Sequence, residues 1–195
     1  MGIDFAYEEG QTTLDEEEKE GLLIFTITTR GELDEFEQLN IQKAVEWTLK
    51  RKFGKEKILS EEFVKELHKR MFNEVWKWAG TFRDTNKNIG VDRFQIRAEL
   101  KKLLDDTKYW IEHQTFKPDE IAIRFKHKIV SIHCFANGNG RHSRLIADIV
   151  INQLFALPVY SWGSSKADEA RKSYLTAIRA ADQGNYGLLI EFARN

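Results

Sequence analysis

The side chains best suited to chemistry lie close together in residues 133–144, which read HCFANGNGRHSR. Two glycines, Gly138 and Gly140, flank Asn139 and allow the backbone to turn with its N–H groups facing outward. A helix that begins at this turn adds the positive end of its dipole at the same place. The pattern therefore indicates a binding site for an anion, and a polyphosphate would fit it.

Charged and titratable side chains stand on both sides of this turn. Arg141 and Arg144 are three positions apart, so on a helix their guanidinium groups share nearly one face and can contact phosphate oxygens. At the start of the segment, a neutral His133 could accept a proton from an incoming hydroxyl group. A solvated turn between two helices is the alternative, but so many suitable residues in one short segment favour a general base beside a phosphate site.

Helices must position this segment, because apolar residues recur at helical spacing along most of the chain. The sequence has only two prolines, Pro118 and Pro158, so long stretches are free to be helical. Ser60 is a typical N-cap, and Pro118 followed by two acidic residues is a typical first turn. We predict helices within residues 33–53, 60–80, 100–111, 118–132, 145–154, 166–181 and 185–193.

Between Gly80 and Gln95 the helical spacing stops. Residues 81–83 and 89–91 are typical of two short extended pieces, and the polar residues 84–88 between them are typical of a turn. The sequence therefore predicts a small β-hairpin in an otherwise all-α fold.

Composition limits the remaining classes of protein. The chain has 195 residues, with 30 Lys and Arg against 31 Asp and Glu, and a formal net charge of −1. This balance gives no broad basic field, so we expect no nucleic-acid partner. The one cysteine, Cys134, can form neither an intramolecular disulfide nor a cysteine-based zinc site, and no apolar run is long enough to cross a membrane. We therefore expect a cytoplasmic protein with no membrane partner.

The segment resembles the signature of the Fic family, His-x-Phe-x-(Asp/Glu)-Gly-Asn-Gly-Arg-x-x-Arg. It matches from His133 to Arg144 at every fixed position except residue 137. Residues 78–80, which read WAG, are also similar to this family. Residues 27–33, which read ITTRGEL, resemble its subgroup called mobile mystery protein B.

This resemblance implies a fold and an activity. The fold would be a Fic-type helical domain in residues 31–195 with a β-hairpin flap from Thr81 to Val91, preceded by an appendage in residues 1–30. The activity would be transfer of AMP from ATP to a Ser, Thr or Tyr hydroxyl of a target protein, or of the chain itself, with release of pyrophosphate. The flap would bind an extended segment of the target by β-augmentation.

The resemblance also assigns roles to residues of the segment. His133 would be the general base, and Phe135 would anchor the loop from within the core. The phosphates would be held by Gly138, Asn139, Gly140, Arg141 and Arg144. Arginines at these positions would neutralise the departing pyrophosphate, which lowers the reaction barrier electrostatically.

Asn137 departs from the signature, since it stands where the family has the carboxylate that holds Mg²⁺. An amide oxygen can still coordinate Mg²⁺ but carries no charge, so metal affinity should fall. Three outcomes stay open: weaker but real transfer from ATP, transfer of UMP or another phosphate-containing group, or a nucleotide-binding regulatory module without turnover. The intact remainder of the turn favours the first outcome, because transfer depends mainly on positioning.

The appendage resembles the inhibitory helix of many Fic proteins, whose pattern is (Ser/Thr)-x-x-x-Glu-(Gly/Asn). Glu20 and Gly21 match its end, whereas Glu16 stands where the pattern has Ser or Thr. Glu20 is therefore a candidate inhibitory residue that would pair with Arg144 and block placement of the γ-phosphate. The alternative is a solvated acidic helix with a glycine cap. The subgroup also implies a toxin–antitoxin context, in which a separate antitoxin is a candidate partner.

Overall fold

A computed structural model describes residues 14–163 and 167–195, so residues 1–13 of the predicted appendage lie outside the described residues. The described residues form helices joined by loops and contain no β-strand. None of these helices has both the length and the apolar composition needed to span a bilayer. They are α1 (Glu16–Lys19), α2 (Arg30–Leu49), α3 (Lys55–Ile58), α4 (Glu61–Phe72), α5 (Ile96–Glu112), α6 (Pro118–Ile132), α7 (Asn139–Ile149), α8 (Ala167–Asp182) and α9 (Gly187–Arg194), with a 3₁₀ turn at Arg93–Gln95 and a π-helical turn at Val150–Leu154.

Local sequence signals determine where several helices begin. Thr29 caps α2 through a capping box, since its side chain accepts the Glu32 N–H at 3.3 Å and the Glu32 carboxylate accepts the Thr29 N–H at 3.0 Å. Ser60 caps α4 by accepting the Phe63 N–H at 3.2 Å. Pro118 occupies the first turn of α6, where no N–H is needed for the helix. Both predicted helix starts, at Ser60 and at Pro118, are confirmed.

The core forms where α4, α6 and α7 meet. α2 packs along α4, α5 packs along α6, and α6 packs along α7. The largest completely buried side chains include Phe63 and Phe72 of α4, Phe125 of α6, and Phe135 of the loop that follows α6. Burial of a side chain of this size stabilises the fold by about 1.5–3 kcal/mol. The loop between α6 and α7 is therefore anchored in the core through Phe135.

The predicted β-hairpin is wrong. Residues 81–91, which we call the covering loop, form no strand, and the backbone N–H groups of their two flanks donate to the end of α6 and the loop after it. The Arg83 N–H donates to the Cys134 carbonyl at 3.0 Å, and the Val91 N–H donates to the Ile132 carbonyl at 3.3 Å. The flap of the expected fold is therefore a loop in this chain.

The side chain of Arg83 explains why no hairpin forms. Its buried guanidinium group donates to the carbonyls of His133 at 2.6 Å and Thr85 at 2.7 Å, and it also binds the Val91 carbonyl. One side chain thus satisfies backbone groups that a strand ladder would otherwise pair. The covering loop is fastened to the end of α6 from within.

Candidate functional site

His133 lies at the end of α6 in an uncommon backbone conformation. Its φ of 59° and ψ of 60° are left-handed, a region that few non-glycine residues adopt. Its N–H still closes the helix by donating to the Ile129 carbonyl at 3.3 Å. Backbone strain of this kind is concentrated at functional sites. The left-handed residue ends α6 and directs the chain into the glycine-containing turn.

The covering loop lies directly on His133, which is only 3% exposed. A Cβ atom placed on Gly90 would lie 2.5 Å from the His133 Cβ, so the backbone of the loop approaches the histidine very closely. Burial, and after it the positive charge of Arg83, lowers the pKa of His133 to about 4. The imidazole is therefore neutral at physiological pH, which is the form that a general base needs.

The turn after Phe135 is shaped by two of the predicted phosphate-binding residues. The Asn139 side chain is buried, accepts the Phe135 N–H at 3.0 Å and donates to the Phe135 carbonyl at 2.8 Å. Gly138 is left-handed at a φ of 75°, and a Cβ there would lie 2.5 Å from the Phe72 ring. Gly140 differs, because it is exposed and nothing lies within 4 Å of the position of its missing Cβ. The side chain of Asn139 holds the turn together, while Gly140 faces open space.

Arg141 is held by a carboxylate from α2. Its Nη1 donates to Glu37 Oε2 at 2.6 Å, and Glu37 Oε1 accepts the indole N–H of Trp76 at 2.6 Å. Glu37 is 2% exposed, so the pair is largely shielded from water. A buried carboxylate at this distance balances much of the charge of the arginine. Arg141 is therefore fixed in place at the start of α7, with part of its charge already matched.

Arg144 has aromatic neighbours instead. Its guanidinium carbon lies 4.9 Å from the centroid of the Tyr174 ring and 5.8 Å from that of Trp162. The Tyr174 hydroxyl also accepts a hydrogen bond from Lys126, which is completely buried. Burial lowers the pKa of Lys126. The two predicted phosphate arginines thus lie in different electrostatic surroundings, with Arg144 next to a second basic residue.

Asn137 offers little to a metal ion. Its Oδ1 accepts the Gly138 N–H at 2.5 Å, and this oxygen is uncharged. Mg²⁺ sites in proteins usually supply one or two carboxylates beside the phosphates. Among the side chains that the structure describes, those of residues 14–163 and 172–195, no cluster of three or more His, Cys, Asp or Glu could hold a metal. The residues at the turn therefore do not fit a Mg²⁺ ion held by the protein itself.

The N-terminal segment reaches the covering loop through Glu18 and not through Glu20. Glu20 is exposed at the C-terminal end of α1. Glu18 is buried, forms an ion pair with Lys87, and accepts a hydrogen bond from the Thr85 hydroxyl at 3.3 Å. Asp15 lies 3.2 Å from the same Lys87 ammonium. Two carboxylates of the appendage thus tie the covering loop down over the site.

Comparison with known families adds to this geometry. The model of the Fic/DOC family matches residues 58–151, a stretch that contains α4, α5, α6, α7 and the turn. This segment is a Fic domain. The resemblance read from residues 133–144 is therefore confirmed at the level of the family.

Solved structures share the fold of this Fic domain. BepC, a VirB-translocated Bartonella effector protein from Bartonella tribocorum with bound AMPPNP, has a TM-score of 0.68 and 20% identity, and the match covers 100% of this chain and 96% of that chain. The N-terminal Fic domain of a Bep effector protein from Bartonella quintana, with bound ADP, has a TM-score of 0.65 and 22% identity, over 87% and 86% of the two chains. These identities establish a likeness of fold alone.

Distant curated relatives are named "Protein adenylyltransferase Fic". The relative from Drosophila grimshawi is 26% identical over 131 residues, which are 65% of this chain and 26% of the relative. The relative from Nematostella vectensis is 23% identical over 164 residues, which are 82% of this chain and 37% of the relative. The chain therefore spans well under half of the length of these relatives.

Four side chains that shape the site of the Fic domain were not singled out from the sequence. One of them is His68, whose Nε2 lies 3.0 Å from the Asn137 carbonyl oxygen in the turn. His68, Lys126 and Glu37 each occupy a position in the buried stripe of a helix, in α4, α6 and α2 respectively. A polar residue at a buried helical position is a signal that the sequence carries. Arg83 lies in a loop without periodicity, so no comparable signal marks it.

Proposed function

We propose that this Fic domain binds ATP at the start of α7 and transfers the AMP moiety to a protein hydroxyl group. The observation that carries the proposal is Gly140. It lies in the first turn of α7, is exposed, does not have a positive φ, and has no neighbour that would meet a Cβ. Glycine in a helix costs about 0.5–1 kcal/mol relative to alanine, so the fold alone gives no reason for it. A phosphate group that approaches the N-terminus of the helix closely gives one.

In this proposal the phosphates lie against the N–H groups of Gly138, Asn139 and Gly140, where the helix dipole is positive. Arg144 supplies charge from its aromatic niche, and Arg141 supplies less because Glu37 balances it. The bound AMPPNP and ADP of the two Bartonella structures support a nucleotide as the ligand.

The chemistry follows from the neutral His133. Its imidazole takes the proton of the target hydroxyl, and the hydroxyl oxygen forms a bond to the α-phosphorus of ATP. The bond from that phosphorus to the α,β-bridging oxygen of ATP breaks, and pyrophosphate leaves with this oxygen and the electron pair. Arg144 and the N–H groups of the turn stabilise the charge that develops on it. AMP is then joined to the target as a phosphodiester, and His133 returns its proton to water. Mg²⁺ belongs to the substrate as the Mg·ATP complex.

Access and regulation belong to the same proposal. Because His133 is covered, residues 81–91 must move before a target hydroxyl reaches it. We propose Glu20 as an inhibitory residue that pairs with Arg144 and excludes the γ-phosphate. Hydroxyls of the chain itself and of a separate target protein are the proposed acceptors, and an antitoxin is a proposed partner.

A second candidate is a nucleotide-binding module that does no chemistry. Asn137 favours it, because its uncharged oxygen already binds the Gly138 N–H and gives no carboxylate to a metal. Such a module would bind ATP and leave every hydroxyl unmodified. Transfer of UMP is a further outcome that a panel of donors would reveal.

Intact-mass spectrometry separates these candidates. The chain is incubated with ATP, UTP or other donors and Mg²⁺, and we expect an AMP adduct in the wild type that is absent in His133→Ala. His113→Ala is the matched control, because His113 is an exposed histidine at the end of α5. If calorimetry shows ATP binding and no adduct forms, the second candidate is supported. If the chain neither binds ATP nor forms an adduct, both candidate functions are excluded.

A further inference from the structure

His68 of α4 connects the two pieces of backbone that enclose the site. The side chain is completely buried, and its ring stacks on Phe135 with centroids 3.7 Å apart. The Gly80 nitrogen, just before the covering loop, lies 3.0 Å from His68 Nδ1. The carbonyl oxygen of Asn137, in the turn, lies 3.0 Å from His68 Nε2. One imidazole thus binds both the start of the covering loop and the phosphate-binding turn.

These partners determine which nitrogen of His68 carries the proton. The Gly80 N–H can only donate, so Nδ1 accepts, and the Asn137 carbonyl can only accept, so Nε2–H donates. Burial, and after it the neighbouring His142, lowers the pKa of His68 well below its ordinary value. A second proton on Nδ1 would place two N–H donors against each other and remove the hydrogen bond from Gly80. The neutral Nε2–H tautomer is therefore the form that fits both contacts.

We infer that His68 is a positioning residue that aims the Gly138 N–H at the phosphates. The peptide group between Asn137 and Gly138 is trans, so its C=O and N–H point in opposite directions. His68 holds the C=O toward its own ring, and the N–H therefore points away from His68. An acceptor already lies on that side, since Asn137 Oδ1 binds this N–H at 2.5 Å. A phosphate oxygen would use the same donor, so the inference rests on the proposed function.

Two substitutions of His68 each keep one of its two hydrogen bonds and remove the other. In His68→Asn, the short amide places an acceptor near the position of Nδ1, so the bond from Gly80 is kept and the donor to Asn137 is lost. In His68→Gln, the longer amide reaches the position of Nε2, so the donor to Asn137 is kept. Both variants lose the stacked ring and one hydrogen bond, and a role limited to packing would affect them alike.

The first measurement is hydrogen exchange of the Gly138 amide by NMR on the full chain without nucleotide. We expect exchange at least about tenfold faster in His68→Asn than in His68→Gln, because only the former frees the peptide group to rotate. The second measurement is ATP affinity by calorimetry. Loss of one charge-assisted N–H contact should weaken binding by about tenfold to a hundredfold in His68→Asn, with affinity retained in His68→Gln.

His142→Gln is the matched control. His142 is also fully buried and next to Phe135, but its Nε2 lies 3.0 Å from the Val64 carbonyl, away from the turn peptide. We expect reduced stability in this control with nearly unchanged ATP affinity. The same loss of affinity as in His68→Asn would overturn the inference, because the effect would then be a general loosening of the core.

Two further results keep the inference separate from the proposed function. Equal exchange of the Gly138 amide in the two His68 variants overturns the positioning role, whether or not ATP binds. In the wild type, saturating ATP should shift the Gly138 amide proton downfield, and an unshifted amide at saturation overturns the inference without any variant. A wild type that binds no ATP overturns the proposed function, while the exchange data still decide whether His68 orients the peptide.

Discussion

Replacing Gly138 and Gly140 separately by alanine separates the demands of the fold from those of the site. At Gly138, alanine would have to adopt a φ of 75°, and the left-handed conformation costs it about 1–2 kcal/mol. Its Cβ would also lie 2.5 Å from two carbon atoms of the Phe72 ring, which is completely buried. Moving a ring in a packed core costs about 1–3 kcal/mol. We therefore expect Gly138→Ala to lower the free energy of unfolding by about 2–5 kcal/mol.

Gly140→Ala should act in the opposite direction on stability. Its backbone is helical and its Cβ meets open space, so alanine should raise the free energy of unfolding by about 0.5–1 kcal/mol. The same methyl group would occupy the space through which a phosphate approaches the helix N-terminus. ATP affinity should therefore fall although the fold becomes more stable.

Urea unfolding followed by tryptophan fluorescence measures the two stabilities, and calorimetry measures ATP affinity. The diagnostic result is the divergence at Gly140, because simple damage to the fold lowers stability and affinity together. Unchanged ATP affinity in Gly140→Ala would show that this open space is not the phosphate site. If Gly138→Ala has the wild-type free energy of unfolding, the Phe72 ring can shift at a lower cost than its packing implies.

Four further predictions concern the metal, the proposed inhibitory Glu20, the covering loop and the base. Asn137→Asp adds a carboxylate at the turn and should lower the Mg²⁺ concentration needed for half-maximal adduct formation; an unchanged Mg²⁺ titration contradicts this. Glu20→Gly should raise ATP affinity and the rate of self-modification. If both stay at their wild-type values, Glu20 is not inhibitory and is only a solvated surface residue. Glu18→Gln removes the charge that pairs with Lys87 and should speed hydrogen exchange specifically in residues 81–91. Exchange that is no faster there than elsewhere in the chain would contradict a role of this ion pair in fastening the covering loop. Because the pKa of His133 is lowered to about 4 while the covering loop lies on it, the acid limb of kcat/KM for transfer, which reports the free protein, should lie near pH 4, not near 6.5. The unfolded chain binds this proton more readily, so stability should fall as the pH drops from about 6.5 through about 4, and His133→Ala should lose that part of the dependence.

Features that depend on neighbouring residues could be predicted from the sequence. Ser60 and Pro118 begin helices because capping acts within a single turn. The turn from His133 to Arg144 could be recognised because its members are contiguous. Helical periodicity likewise reports only on residues that are three or four positions apart.

Contacts between distant residues account for what the sequence did not reveal. Arg83 binds the carbonyl of His133, 50 residues away, and this contact replaces the expected hairpin. Packing buries Glu18 against the covering loop, whereas the motif match pointed to the exposed Glu20. Contacts like those of Arg83 and Glu18 depend on which elements meet in three dimensions, and no local sequence pattern encodes them.

The ion pair between Glu37 and Arg141 sets a minimum size for the working module. Glu37 belongs to α2, which precedes the family-matched residues 58–151, yet it lies 104 positions from the arginine that it holds. A shortened version that began at residue 58 would leave both Arg141 and the Trp76 indole without their shared acceptor. Excision, grafting or fusion of this module should therefore keep the chain from Thr29, the cap of α2, onward.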